Sequence, residues 1–130
     1  MWEVTLKEGD MSNNTWVHEL FAKLDRGDIE GWASYLSEDA AFRLGSGHPV
    51  SGPQGAKQVI NAILSFVRDV RHELLDVWDT PQGVVVRGEL SMHRIKDGRR
   101  ITVPFCNVLD AKEQRIQRYM AHLDPSPIFS

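Results

Sequence analysis

Apolar residues recur at helical spacing along the first half of the chain. Trp16, Leu20 and Leu24 share one face of a first predicted helix, and Gly27 marks its end. Asp28 can cap a second helix that follows at once. The apolar face of the second helix consists of Ile29, Trp32, Ala33 and Leu36, and that of a longer third helix of Ala56, Val59, Ile60, Ile63, Leu64, Val67 and Val70.

Polar and apolar residues alternate along the second half of the chain, a pattern typical of strands with one buried face. A shorter strand, over 40–44, lies between the second and third helices and precedes a glycine-rich loop at 45–52. The alternation predicts the remaining strands over 72–79, 84–95, 100–109 and 115–123.

This order of elements predicts an α+β fold, in which three N-terminal helices pack on a strongly curved antiparallel sheet. Long twisted strands curl, and three short helices do not fill the concave side completely. We therefore expect an internal pocket lined by strand and helix residues. Periodicity is absent from the start of the chain, so 1–11 is predicted to be a flexible extension and 12–130 a single domain.

Composition and charge narrow the choice of partners. Of the 130 residues, 42% are hydrophobic and 25% are charged, which is typical of a globular protein. The formal net charge of -3 offers no basic surface for phosphate groups, so we expect no nucleic-acid partner. Cys106 is the only cysteine, and no apolar run is long enough for a secretory signal or a membrane span. We expect a cytoplasmic protein without membrane contact.

Several short motifs resemble one known superfamily. They are LDRGD at 24–28, LSEDAAF at 36–42, SGPQGA at 51–56, RHE at 71–73, DGR at 97–99, VPF at 103–105 and DPSP at 124–127. Together they resemble the SnoaL-like branch of the nuclear transport factor 2-like superfamily. The resemblance implies a cone-shaped barrel with an internal pocket, often dimerising through its sheet. It does not select an activity, because this fold hosts isomerases, polyketide cyclases, epoxide hydrolases, binding proteins and assembly domains.

The resemblance also indicates where family enzymes hold catalytic groups. Ketosteroid isomerases use a tyrosine and two aspartates, epoxide hydrolases use an arginine and two aspartates, and the cyclases take an acid from the last strand. The matching positions here are Leu20, Leu44 and Cys106 for the isomerases, Leu90, Met92 and Ala121 for the epoxide hydrolases, and the region of Ala121 for the cyclases. The family's usual acids and bases are therefore absent from these positions.

His72 is the strongest remaining candidate for acid–base chemistry. It opens the predicted strand and shares a face with Leu74, Asp76 and Trp78 at a period of two. An imidazole titrates near neutral pH and can act as a general acid or base. In the alternative interpretation, His72 ends the third helix and donates to its last carbonyl groups.

Asn107 and Cys106 are further candidates, and the register of the predicted hairpin at 97–98 decides which of them faces the pocket. A two-residue turn pairs Leu90 with Phe105 and turns Asn107 inward. A three-residue loop shifts the register by one residue and turns Cys106 inward, and the family resemblance favours this register. A nucleophilic cysteine needs a neighbouring base, and none is evident, so Cys106 also fits a buried structural cysteine.

The chain lacks the patterns of a metal or cofactor site. Its histidines do not have the spacing of metal ligands, and its glycines do not form a nucleotide-binding motif, so we expect neither a metal nor a cofactor. Aromatic residues at core spacing can line a pocket for a flat ligand or simply pack together. The predicted ligand-binding residues are Trp16, Leu20, Trp32, Leu44, Leu90, Met92, Tyr119 and Ala121.

Two kinds of function remain open. The first is an isomerase, cyclase or hydrolase that acts on a small apolar molecule, with His72 as acid or base and Asn107, Cys106 or Tyr119 orienting the substrate. The second is a non-catalytic ligand-binding module or a dimeric assembly module, which the apolar residues at the family's catalytic positions favour. The expected partners are a small apolar molecule and a second copy of the chain in a homodimer.

Overall fold

A computed structural model describes residues 14–130, so the extension predicted for 1–11 lies outside the described residues. The helices are α1 (Thr15–Asp25), α2 (Ile29–Ala33), α3 (Gly52–Leu64) and α4 (Ser126–Phe129). The strands are β1 (Leu36–Leu44), β2 (Val50–Ser51), β3 (Val67–Thr80), β4 (Gly83–Arg94), β5 (Arg100–Lys112) and β6 (Arg115–Leu123). The predicted α+β class is confirmed. None of the helices within 14–130 is long and apolar enough to cross a membrane.

The six strands form one sheet in the order β2-β1-β6-β5-β4-β3. Strands β3 to β6 make the antiparallel meander that the alternation predicts. However, β1 lies parallel to β6, so the sheet is mixed rather than wholly antiparallel. A parallel pair needs a long connection, and α3 with four strands lies between β1 and β6 along the chain. Leu36, which helical spacing assigns to the second helix, instead begins β1.

The helices bury their apolar sides against the sheet. Helix α1 ends at Asp25, and Gly27 follows it with a φ of 79°, a left-handed conformation that glycine adopts without strain. Asp28 then caps α2 by accepting a hydrogen bond from the Gly31 N–H at 2.9 Å. Trp32 in α2 is fully buried and packs edge-on against Phe42 of β1, with 5.7 Å between ring centroids. The second helix is therefore anchored to the sheet through aromatic packing.

The third helix ends earlier than its apolar spacing predicts. It stops at Leu64, and Val67 and Val70 belong to β3. A bulge around Asp69, whose φ is 57°, leaves both valines on the inner side of the strand. Their separation by three residues imitates helical spacing. The prediction of a helix up to Val70 is therefore wrong, and His72 lies inside a strand rather than at a helix end.

The register of the β4–β5 hairpin determines which side chains of β5 face inward. Leu90 pairs with Val103 and Val86 with Asn107, and the loop consists of 95–98. Both predicted loop lengths are wrong. The four-residue loop differs from a two-residue turn by an even number, so the same side chains stay on the same face. Asn107 faces inward, and the register that turns Cys106 inward is wrong.

Candidate functional site

A cavity of about 60 Å³ lies between the helices and the sheet. Its wall is mostly apolar, and several of its residues are partly exposed, among them Ile63, Leu64 and Leu123. Every long strand and the segment after β6 contribute to it. The lining residues are Leu24, Phe42, Leu44, Ile60, Ile63, Leu64, Val67, Val70, His72, Leu90, Met92, Asn107, Tyr119, Ala121, Leu123, Pro125 and Ile128.

His72 lies in this wall and is held by Asp25, the last residue of α1. Asp25 Oδ1 is 2.6 Å from His72 Nδ1, and Asp25 Oδ2 accepts a hydrogen bond from the His72 backbone N–H at 2.9 Å. The His72 side chain is 8% exposed and that of Asp25 22%. When Asp25 is ionised, its carboxylate can only accept hydrogen bonds, so the proton of this contact then lies on Nδ1. In that tautomer, Nε2 is the ring nitrogen that Asp25 does not engage.

Two phenylalanine rings pack around the imidazole of His72. The ring centroid of Phe21 in α1 is 5.0 Å from that of His72, and the centroid of Phe105 in β5 is 5.4 Å away. Gly88 in β4 leaves space for Phe105, because a Cβ atom there would come within 2.9 Å of the ring and would overlap the Glu73 carbonyl oxygen. The carboxylate and the two rings together restrict the orientation of the imidazole.

Asn107 and Tyr119 supply the other polar groups of the wall. Asn107 is 3% exposed, and its Oδ1 has no hydrogen-bond partner within the described part of the chain. Burial raises the pKa of Tyr119 well above its ordinary value, and the side chains of Trp32 and Asn107 offset only part of that rise. The Trp32 indole N–H approaches the hydroxyl without making a hydrogen bond of good geometry. The Tyr119 hydroxyl therefore stays protonated at neutral pH.

The cavity wall carries no positive side chain. None of its lining residues in the described part of the chain is Lys, Arg, Asp or Glu. The pair of Asp25 and His72 has a charge of minus one when the imidazole is neutral and no net charge when it is protonated. The site therefore offers no attraction to an anionic ligand.

Comparison with known families decides the classification. A family model described as a SnoaL-like domain matches residues 17–119. The chain belongs to the SnoaL-like domain family. No curated protein sequence matches it significantly.

Solved structures share the fold of this SnoaL-like protein at low sequence identity. An NTF2-like protein of unknown function from Burkholderia pseudomallei superposes with a TM-score of 0.79 at 19% identity, over 89% of this chain and 93% of that chain. A candidate polyketide cyclase from Xanthomonas campestris pv. campestris gives 0.75 at 17%, over 88% and 91%. An LEH-like epoxide hydrolase from M. tuberculosis gives 0.72 at 13%, over 88% and 84%. At such identities the similarity establishes the fold alone.

The predicted ligand-binding residues of the SnoaL-like chain divide into two groups. Leu20 and Trp32 are fully buried and pack against other core residues rather than lining the cavity. Trp16 stacks on Tyr35 and borders a separate depression in the surface. Helical spacing identified these residues as apolar but could not tell packing from lining. The cavity is lined by the other five, which are Leu44, Leu90, Met92, Tyr119 and Ala121.

Of the three predicted catalytic residues, two line the cavity and one does not. His72 and Asn107 line the same cavity, on β3 and β5 respectively. Cys106 lies outside it, in a shallow depression of the opposite sheet face that it shares with Arg87 and His122. The cysteine is half-buried and has no contact with the cavity.

A second bulge in β3 changes which residues share the face of His72. Leu74 follows the predicted alternation, but the register shifts between Leu74 and Asp76. Asp76 therefore turns to the outer face, where Arg87 donates to its carboxylate. Trp78, two residues after Asp76, also lies on the outer face and is 44% exposed. The prediction that Asp76 and Trp78 share the face of His72 is wrong.

Sequence patterns did not reveal the role of Asp25 or of the segment after β6. The helix dipole disfavours a carboxylate in the last turn of a helix, so the position of Asp25 was itself a signal of a partner elsewhere. Pro125 and Ile128 line the cavity, but a four-residue helix has no periodicity to detect. Within 14–130, no three His, Cys, Asp or Glu side chains are grouped to hold a metal ion.

Proposed function

We propose that this SnoaL-like protein binds a small, largely apolar molecule in the cavity and catalyses a proton-transfer reaction on it, as an isomerase, cyclase or hydrolase. The observation that carries the proposal is the contact between Asp25 and Nδ1 of His72. It leaves Nε2 of a wall residue free to accept or release a proton. Leu44, Leu90 and Met92 supply apolar surface for the ligand.

Asp25 serves His72 in two ways in this proposal. It holds the Nδ1–H tautomer, so that the lone pair of Nε2 is available as a base. Once Nε2 has taken a proton, the negative charge of Asp25 stabilises the imidazolium. The proton then returns from Nε2 to a different atom of the ligand in an isomerisation or ring closure, whereas in a hydrolysis Nε2 takes it from water.

The size of the cavity limits what it accepts without rearrangement. An apolar protein cavity of about 150 Å³ takes up benzene, whereas this cavity measures about 60 Å³. A ring compound therefore requires lining side chains to move outward. Ile63, Leu64 and Leu123 are among the lining side chains that are partly exposed and therefore have room to do so.

The substitution His72→Ala tests the catalytic role of the imidazole. Wild type and variant are assayed with three small neutral substrates, an unsaturated ketone for isomerisation, a diketone for ring closure and an epoxide for hydrolysis. We expect the active substrate to lose a factor of about 10² to 10⁴ in turnover, the usual contribution of a general acid or base. Cys106→Ser, which changes a residue outside the cavity, is the control and keeps full activity. Unchanged turnover in His72→Ala removes His72 from the mechanism.

A measurement without substrate tests the role given to Asp25. The ¹⁵N shifts of His72 distinguish its two neutral tautomers, and we expect the Nδ1–H form in the wild type because Asp25 accepts from that nitrogen. In Asp25→Asn this preference should weaken, since an amide can donate as well as accept. An Nε2–H tautomer in the wild-type protein would contradict the proposed role.

A non-catalytic binding module is the second candidate. It is favoured by the apolar residues that line the cavity at the family's catalytic positions, Leu44, Leu90, Met92 and Ala121. Binding without product formation in all three assays supports this module, whereas product formation excludes it.

We further propose that the protein acts as a homodimer in the cytoplasm. Support for a dimer comes from apolar residues on the outer face of the sheet, of which Trp78 is 44% exposed. The chain has one cysteine, Cys106, and so forms no intrachain disulfide, which agrees with a reducing compartment.

A further inference from the structure

We infer that the ligand of this cavity is an uncharged molecule with a hydroxyl or N–H group, and that this group donates a hydrogen bond to Oδ1 of Asn107. Asn107 is then the residue that determines specificity. The inference rests on the proposed function, because it names the class of ligand for the same cavity.

The first support is the unpaired oxygen of Asn107. The residue is 3% exposed, lines the cavity and has no partner for Oδ1 within the described residues. A buried carbonyl oxygen without a partner destabilises a folded protein, so such atoms are uncommon and call for an explanation. The Asn107 side chain also lies close enough to the Tyr119 hydroxyl to lower its pKa. Oδ1 therefore lacks a partner among the described residues, and a ligand can supply one.

The second support is the charge of the site. The described lining residues include no Lys or Arg, and the pair of Asp25 and His72 is either neutral or negative. A carboxylate or phosphate buried here would meet no compensating charge, and burying an unpaired charge is strongly unfavourable. A neutral hydrogen-bond donor binds Oδ1 without burying an unpaired charge.

The positions of the polar groups also separate recognition from reaction. His72 lies on β3 opposite Leu90, whereas Asn107 lies on β5 opposite Val86, four residues further along β4. The two side chains therefore reach the ligand from different parts of the wall. The donor group that binds Asn107 is then distinct from the atom that exchanges a proton with His72.

Phenol, toluene and benzoate test this inference, because they share a ring and differ in one substituent. Each is titrated into the full chain while methyl signals of the lining leucine, isoleucine and valine residues are followed by NMR. We expect phenol to bind about five-fold more tightly than toluene, the usual effect of one hydrogen bond between neutral groups. We expect no binding of benzoate at concentrations that saturate the site with phenol.

The substitution Asn107→Leu keeps the shape of the side chain and removes the acceptor. It should abolish the preference for phenol over toluene while toluene still binds. Asn107→Val serves the same purpose if the leucine variant does not fold. Cys106→Ser, at the neighbouring residue on the opposite face, is the matched control and should keep the wild-type preference.

The outcomes separate this inference from the proposed function. Equal binding of phenol and toluene by the wild type overturns the inference and indicates that water satisfies Oδ1, while the cavity remains a ligand site. A preference that survives Asn107→Leu, or tight binding of benzoate, also overturns it. If none of the three compounds binds, both the inference and the proposed ligand site are wrong.

Discussion

Tyr119 links the chemistry of a single side chain to the stability of the protein. Burial raises its pKa above the ordinary 10.0, so the folded protein keeps the phenol proton at a pH where the unfolded chain releases it. Above pH 10 the unfolded state therefore binds fewer protons than the folded state. The free energy of unfolding then falls as pH rises, by up to about 1.4 kcal/mol per pH unit for one fully linked proton.

The substitution Tyr119→Phe removes this linked proton and keeps the ring in the core. Urea unfolding between pH 9 and 11 should show a shallower loss of stability in the variant than in the wild type. The matched control is Tyr35→Phe, which should change the slope less. The pKa of Tyr35 is raised by partial burial and by Glu19, but by less than the pKa of Tyr119. A Tyr119→Phe protein with the wild-type slope would contradict the burial of the phenol.

The last helix, α4, is held by one buried arginine at the end of β4. Arg94 donates to the carbonyl oxygens of Pro127 and Ser130, at 2.9 and 2.7 Å, and to both oxygens of Asp97. Because Ile128 of α4 lines the cavity, the hydrogen bonds from Arg94 also position one part of the cavity wall. The same contacts fix the four-residue loop between β4 and β5.

The contacts between Arg94 and Asp97 should be sensitive to acid. The hydrogen bond from Arg94, assisted by the Arg99 backbone N–H, lowers the pKa of Asp97 to about 2. A carboxyl group with a lowered pKa stabilises the fold above its unfolded value of 3.8, and that contribution is lost as the pH falls toward 2. Asp97→Asn should therefore flatten the loss of stability between about pH 4 and pH 2, as measured by thermal unfolding.

A matched control for this prediction is Glu113→Gln, in the turn between β5 and β6. It removes an exposed carboxylate from another hairpin, so the acid-dependent loss should remain as in the wild type. An Asp97→Asn protein that loses stability toward pH 2 as steeply as the wild type would show that the contacts between Arg94 and Asp97 do not cause the acid-dependent loss of stability.

At the scale of the whole molecule, the outer face of the sheet carries a row of apolar side chains. Register places Trp78, Val85, Val108 and Met120 next to one another on four adjacent strands. Two copies of the chain related by a twofold axis can pack such rows against each other. Trp78 is the largest of these side chains and therefore the expected centre of the proposed interface.

The substitution Trp78→Arg should weaken the proposed dimer at least about thirty-fold, the effect of losing about 2 kcal/mol at an interface centre. Sedimentation equilibrium over a range of concentrations measures it. Ile95→Arg is the control, because Ile95 is also exposed, at 54%, but lies in the β4–β5 loop away from the row. A wild-type protein that is monomeric at every concentration rules out the dimer.

The sequence alone determined the elements whose patterns are local. Alternation predicted β6 over 115–123, and Gly27 with Asp28 located the junction of the first two helices. These predictions hold because a strand or helix with one buried face needs apolar residues at a fixed period. The family motifs likewise indicate the SnoaL-like fold without any knowledge of tertiary contacts.

Only the tertiary structure decided which side chains meet at the cavity. Asp25 and His72 are 47 residues apart, and they come together because α1 packs against β3. The bulge around Asp69 and the one before Asp76 each change the phase of a strand, and alternation cannot detect such a change in advance. Local pattern fixes the buried face of an element, whereas packing between distant elements fixes the site.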